Sequence, residues 1–229
     1  MTGSEMNAGM RFHAEKSYRD RKSKARYVAS KYRSILVGSI LDVGADQCYL
    51  RDLLGPEANY WGIGIGGNPD QVVDLEAGPL PFDNGSFDCV LCLDVLEHLD
   101  DIHSVFDELC RVSRRYVIIA LPNPWSAFVN MLRRGHFTSD QPMKQYNLPV
   151  DPPVDRHKWF FSATEAEKFI VSRGRLNEMR VVQLDRAPSG GRRTHILKWV
   201  VSQFVHRDIA IDDLFSGSVW AVLEKGASS

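Results

Sequence analysis

Several stretches of this 229-residue chain hold side chains whose types and spacing could do chemistry. Cys89-Val90-Leu91-Cys92 has the C-x-x-C spacing of zinc and dithiol sites, but it lies in an apolar run where extended backbone sends the two thiols to opposite faces. With no second pair of ligands following, they read as buried free thiols. Gly62-Ile63-Gly64-Ile65-Gly66-Gly67 matches the dinucleotide fingerprint G-x-G-x-x-G letter by letter. That fingerprint works where its glycines open a helix whose amino terminus takes the pyrophosphate, and here Asn68-Pro69 and a strand-like segment follow instead. His136, His157 and His195 lack metal-ligand spacing, so no metal is expected. The run Asp155-Arg156-His157-Lys158-Trp159-Phe160-Phe161 gathers charge and aromatic surface, either as a pocket for a polar ligand or as an anchor tying a loop to the core.

The elements that must position these groups can be read from pattern. At 44% hydrophobic and 25% charged, the chain has material for a sizeable core and none of the bias of disorder or fibre. Its length suits one domain with an embellished surface. Twenty-eight basic residues against 29 acidic ones exclude a generally basic surface, so nucleic acid is not expected as a partner. No apolar run reaches the roughly 18 residues of a membrane span, and no signal-peptide pattern opens the chain, so a cytoplasmic protein is expected, monomer or homodimer. Charge is uneven: Arg11 to Arg33 holds nine Lys or Arg against two acids, whereas Asp70 to Leu109 holds eleven acids and no Lys or Arg.

Helix formers without Gly or Pro from Phe12 to Leu36 predict one or two helices ahead of the core. Short apolar strands are expected at 40–44, 60–63, 71–74, 87–93 and 116–121, with a helix at 50–54 before Gly55-Pro56. Asp100 and Asp101 can cap a helix whose apolar face is Ile102, Val105, Phe106 and Leu109. Residues 123–158 break the rhythm with five prolines and read as an inserted loop. Ser162 and Glu165 form a capping box for a helix ending at Gly174, and 180–184 and 218–223 supply two last strands around the apolar stretch His195 to Val205. This alternation implies an α/β fold with a doubly wound, mostly parallel sheet, whose ligands sit beyond the carboxyl ends of the strands.

At those ends stand Asp42-Val43-Gly44-Ala45-Asp46-Gln47-Cys48 and Leu93-Asp94-Val95-Leu96-Glu97-His98, together with Leu80-Pro81-Phe82, Ser86-Phe87-Asp88, Glu108-Leu109-Cys110-Arg111-Val112 and Leu121-Pro122-Asn123. On these motifs, over about Ser39 to Pro122, the chain resembles class I S-adenosylmethionine-dependent methyltransferases, near the type 11 group and its MetW-like branch. The resemblance implies a seven-stranded Rossmann-like methyltransferase fold with an inserted lid after the fifth strand. One domain is expected: an N-terminal helical segment (1–38), a cofactor core (39–122), an insertion or lid (123–160) and a C-terminal helix with a strand pair (161–229).

For S-adenosylmethionine, the resemblance implies that Gly44, Ala45 and Asp46 approach the methionine part, ahead of a helix whose amides meet its carboxylate. Asp42 orients the ammonium, Asp74 and Leu75 meet the adenine, and Leu93, Asp94 and Val95 pass beneath. Replacing Gly44 by valine should remove cofactor binding while the fold survives. The family's glycines are here Asp46 and Cys48, where a left-handed backbone costs about 1–2 kcal/mol, and its ribose acid is Gly64. Either Asn68 or Asp70 substitutes for that acid, or the loop there is merely solvated. The activity implied is in-line methyl transfer to a small-molecule or saccharide acceptor; on composition, the hydrogen-bonding and aromatic side chains of Tyr18, Asn123, Arg156, His157 and Trp159 are expected to bind it. His98 takes the acceptor's proton, or else packs against the next helix. A catalytically degenerate binding protein and a nucleic-acid methyltransferase are the alternatives.

Overall fold

Seven runs of aliphatic residues, most of them short, become the strands of one sheet: β1 Gly38–Val43, β2 Ala58–Gly64, β3 Gln71–Val72, β4 Phe87–Leu93, β5 Ser113–Leu121, β6 Met179–Pro188 and β7 Ser216–Lys225. The computed structural model describes residues 18–134, 145–146, 148, 150–153, 155–188, 198 and 201–226. Residues 1–17, His136 and His195, for which expectations were stated above, lie outside them. Strand order is β3-β2-β1-β4-β5-β7-β6, parallel throughout except that β7 runs antiparallel to both of its neighbours.

Period-two alternation divides the sheet's side chains between two cores. Leu41, Val43, Val90, Cys92, Val117, Ile119, Ala221 and Leu223 face one side, where α2 (Ile102–Val112) and α4 (Ala163–Leu176) cover them. Ile40, Cys89, Leu91, Ile118, Ala120, Trp220 and Val222 face the other, where α1 (Arg21–Lys31) packs Ala25 and Val28. Cys89 and Cys92 therefore sit in opposite cores as free thiols, the arrangement their spacing implies. Asp101 caps α2, and Ser162 with Glu165 forms the expected box at the start of α4.

Three expectations are corrected. Residues 50–54 form a 3-10 turn, Arg51–Leu53, since a run ended by Gly55-Pro56 is too short to nucleate an α-helix. Gly174 does not stop α4, which continues to Leu176; it is buried there because a Cβ would lie 2.6 Å from Leu223 Cδ2. The insertion is not all loop: α3 (Pro124–Arg134) begins on a proline, whose fixed φ and missing N–H suit a first helical turn. Among the described residues no helix is long and apolar enough to cross a membrane.

Strand order reverses between β1 and β4. Val43 pairs with Ile63 on one side and Cys92 on the other, so the carboxyl ends of β1, β2 and β4 lie level, with a crevice where their connections diverge.

Candidate active site

The crevice begins where β1 turns. Gly44 follows Val43 with φ +78°, and a Cβ there would stand 2.3 Å from Val95 Cγ2, so glycine is required by the close approach of the segment after β4. The amides of Gly44 and Ala45 both donate to Ile63 O, at 2.8 and 3.0 Å. Asp46 and Cys48 adopt left-handed backbone, φ 50° and 52°, in the positions where strain was expected. Asp46 O accepts from the amide of Asn68 at 2.6 Å, and at Gly67 a Cβ would come within 2.2 Å of that same oxygen. The loops after β1 and β2 are thus clamped together. Because only a 3-10 turn follows, no long helix presents its amides to the crevice, which corrects the implied carboxylate site.

Above this floor lies a cleft of about 340 Å³. Asp42, Gly44, Ala45, Asp46, Leu93 and Asp94 form its floor; Arg21, Lys24, Ala25 and Val28 of α1 form one wall; Glu97, His98, Asp155 and His157 close the far end. Five acids face two bases in this lining, so the cleft favours a cation. Asp42 is buried and accepts a 2.7 Å hydrogen bond from the Tyr60 hydroxyl; burial pushes its pKa up to about 6, against the opposing pull of Tyr60 and Lys24. Asp94, with φ 59°, pairs through Oδ2 with Lys24 Nζ at 2.6 Å, while its buried Oδ1 has no partner among the described residues. Arg21 pairs with Asp46 across the cleft mouth.

The far end is stitched from two distant segments. Lys158 donates its amide to Glu97 O at 2.8 Å and its ammonium to Asp100 at 2.6 Å, and Trp159 Nε1 donates to Leu99 O at 2.7 Å. These bonds lay His157 edge-to-face against His98, ring centroids 4.5 Å apart. Both imidazoles flank Glu97, which is 1% exposed. Burial, with Asp94 nearby, pushes the Glu97 carboxyl well above the usual range. Burial and the neighbouring His98 lower the His157 pKa to about 4.

Of the residues expected at the cofactor, Asp42, Gly44, Ala45, Asp46, Leu93 and Asp94 line the cleft. Val95 backs Gly44, and Gly64 lies beneath the same loop, where a Cβ would be 3.5 Å from Gly44 Cα. Asp74 and Leu75 are not in this lining: Asp74 is exposed and receives the Glu76 amide, while Leu75 packs in the core with α2. Asp70 is turned to Gly62 N and Arg51. Of the acceptor residues, His157 lines the cleft and four do not. Tyr18 packs on Trp220 and Tyr27, Arg156 is exposed, and Trp159 borders a separate apolar recess with Phe161 and Phe169. Asn123 is buried, donating to Asp213 O and Ser216 O at 2.7 and 2.8 Å. The sequence reading missed Lys24, Glu97 and Asp155 at the cleft. For Glu97 a signal existed, an acid beside His98 in a short segment otherwise made of Val95, Leu96 and Leu99.

Residues 58–121 match a family model described as a methyltransferase domain. The matched stretch runs from the start of β2 to the end of β5, and over it the chain is similar to a methyltransferase domain. An S-adenosylmethionine-dependent methyltransferase from Archaeoglobus fulgidus superposes with a TM-score of 0.55, at 15% identity, over 91% of this chain and 96% of its own. Another from Clostridium acetobutylicum gives 0.52 at 11% identity, over 91% and 93%. The [4+2]-cyclase SpnF gives 0.55 at 13% identity, over 95% and 88%. At these identities the superpositions show the fold. No curated protein matches the chain.

The cleft suits S-adenosylmethionine on chemical grounds. S-adenosylmethionine carries a sulfonium and an ammonium, and the cleft offers an excess of carboxylates, one of them with a buried, unpartnered oxygen on Asp94. A bidentate acceptor for a ribose is not found at the end of β2, where Gly64 stands.

Proposed function

We propose that the chain moves the methyl group of S-adenosylmethionine to a small-molecule or saccharide acceptor that enters at Glu97, His98 and His157. The observation that carries this reading is the acid-lined cleft at the β1/β4 switch point, bounded at one end by the Gly44 loop and at the other by two histidines. When bound, the cofactor supplies a methyl already activated by its sulfonium, so the protein's task is alignment. Asp42 and the Gly44 loop hold the amino-acid end. Asp94 faces the positive charge. Lys24 and Arg21, which pair with Asp94 and Asp46, must yield part of those contacts as the site fills.

His98 is the first candidate to take a proton from a hydroxyl acceptor, since its Nδ1 is held by Asp155 Oδ1 at 2.7 Å and its Nε2 is left toward the cleft end. Helix α1 and the strap 155–161 act as the acceptor's walls over the core. A second reading, a binding protein or an enzyme of another reaction on this fold, is favoured by Gly64 at the ribose position and by the cyclase with the same fold.

Calorimetry with S-adenosylmethionine and S-adenosylhomocysteine, followed by transfer of a labelled methyl to a panel of hydroxylated small molecules and sugars, separates the two. Binding of both nucleosides with label transfer supports methylation. Failure to bind either removes the proposal, and binding without transfer to any acceptor favours the second reading.

A further inference from the structure

We infer that Glu97, His98 and His157 form a binding site for one divalent first-row transition-metal ion at the acceptor end of the cleft. The three donor atoms lie within 4.8 Å of one another, on residues 59 or more positions apart in the case of His157 and its partners. His98 Nε2 stands 3.9 Å and His157 Nε2 4.0 Å from Glu97 Oε1. Those gaps are too long for hydrogen bonds. Two donors on one ion at about 2.1 Å each lie about 3.4 Å apart at the tetrahedral angle, so small turns of the rings and carboxylate that close each gap by about half an ångström would complete the set.

The hydrogen bonds behind the rings make the case stronger, because they fix which nitrogen carries the proton. Tyr146 OH donates its hydrogen to Trp159 O at 3.0 Å, so in its 2.9 Å bond with His157 Nδ1 it can only accept. Asp155 likewise accepts from His98 Nδ1. Each neutral ring therefore carries its proton on Nδ1 and turns an Nε2 lone pair toward Glu97. Imidazoles held from behind by a carboxylate or hydroxyl in this way are the usual support of metal-bound histidines.

An independent observation comes from Glu97 itself. Its side chain is 99% buried, lines the cleft, and has an Oε2 with no hydrogen-bond partner among the described residues. Three acceptors converge here with no donor side chain between them, so either a proton on Glu97 or a metal cation must relieve their repulsion. Two imidazoles and one carboxylate suit Zn²⁺, Fe²⁺, Co²⁺ or Mn²⁺ better than Mg²⁺ or Ca²⁺, which favour all-oxygen sets, and three protein ligands leave positions open to the cleft. The inference rests on the methyltransferase reading for its use: an acceptor oxygen bound at an open position would be oriented and acidified by the ion, with His98 then a ligand and not the free base. Spacing alone argued against a metal because His98 and His157 meet only through the fold.

The test titrates Co²⁺ into the full chain, freed of tags and stripped with chelator, following visible absorption. One equivalent should bind with the appearance of ligand-field bands and be displaced by Zn²⁺. His157→Gln and Glu97→Gln should each weaken Co²⁺ binding at least tenfold, whereas His206→Gln, an exposed histidine elsewhere, should not change it. Thermal melts confirm that each variant is folded, and either variant alone suffices. Absence of saturable Co²⁺ binding, or unaltered affinity in a folded His157→Gln or Glu97→Gln protein, overturns the site. S-adenosylhomocysteine calorimetry on the same samples keeps the two readings apart: nucleoside binding without Co²⁺ binding defeats the metal site alone, and the reverse defeats the methyltransferase reading alone.

Discussion

Asp42 is a buried carboxyl whose charge the cleft both penalises and uses. Its pKa in the folded chain, about 6, lies above the ordinary 3.8, so the stability linked to its proton is fully present below about pH 3.8 and is lost as pH rises through 6. Binding of a cationic cofactor runs the other way, since the ionised form is the one that attracts it. S-adenosylmethionine affinity should therefore fall as pH drops below 6, by up to about tenfold per unit, and Asp42→Asn should flatten that dependence; calorimetry between pH 5 and 8 reads both. Gly44 makes a different demand. Valine there, expected to spare the fold, would strain it, because its Cβ would meet Val95 Cγ2 at 2.3 Å on a backbone with φ +78°. Left-handed strain and overpacking together should cost roughly 2–5 kcal/mol, seen as an earlier urea midpoint even without cofactor. An unchanged midpoint would show that the loop relaxes freely.

Helix α1 is held to the sheet by a contact that composition did not reveal. Lys31, its last residue, is buried with its ammonium 2.8 Å from Asp185 of β6 and 2.9 Å from Tyr27 OH. Removing Asp185 leaves a buried cation short of its counter-charge, whereas an apolar residue of similar length at position 31 removes the charge with the need for it. Asp185→Ala should cost about 1–3 kcal/mol and Lys31→Met less than about 1, the gap to be measured by chemical unfolding. The amphipathic face of α2 and the capping box of α4 were plain in the sequence because both signals are local. The 3-10 turn at 51–53 and the continuation of α4 past Gly174 were not, for each depends on space: one on the stop at Gly55-Pro56, the other on room beneath Leu223. In the insertion, five prolines hid α3, although Pro124 is the residue that starts it.

Across the whole molecule, strand ends were legible and their meeting points were not. The doubly wound sheet followed from alternation, and it brought Asp42, Gly44 and Asp94 to one crevice, as the resemblance implied. The opposite end of that crevice was opaque. Glu97, His98 and Asp155 meet His157 only because Lys158 and Trp159 bind the Glu97–Asp100 segment, a long-range pairing with no periodic trace in the chain. Acceptor residues proposed on composition scattered for the same reason, Asn123 becoming a buried tie to the segment before β7 and Tyr18 a packing partner of Trp220. The central claim is that the β1/β4 cleft receives the cofactor, and a crystal structure with S-adenosylhomocysteine tests it most directly. The amino-acid end should lie against Asp42 and the Gly44 loop, with the sulfur facing Asp94 toward His98 and Lys24 drawn off the Asp94 carboxylate. A nucleoside bound elsewhere, or a cleft still closed by the Lys24–Asp94 and Arg21–Asp46 pairs at saturating ligand, would contradict it.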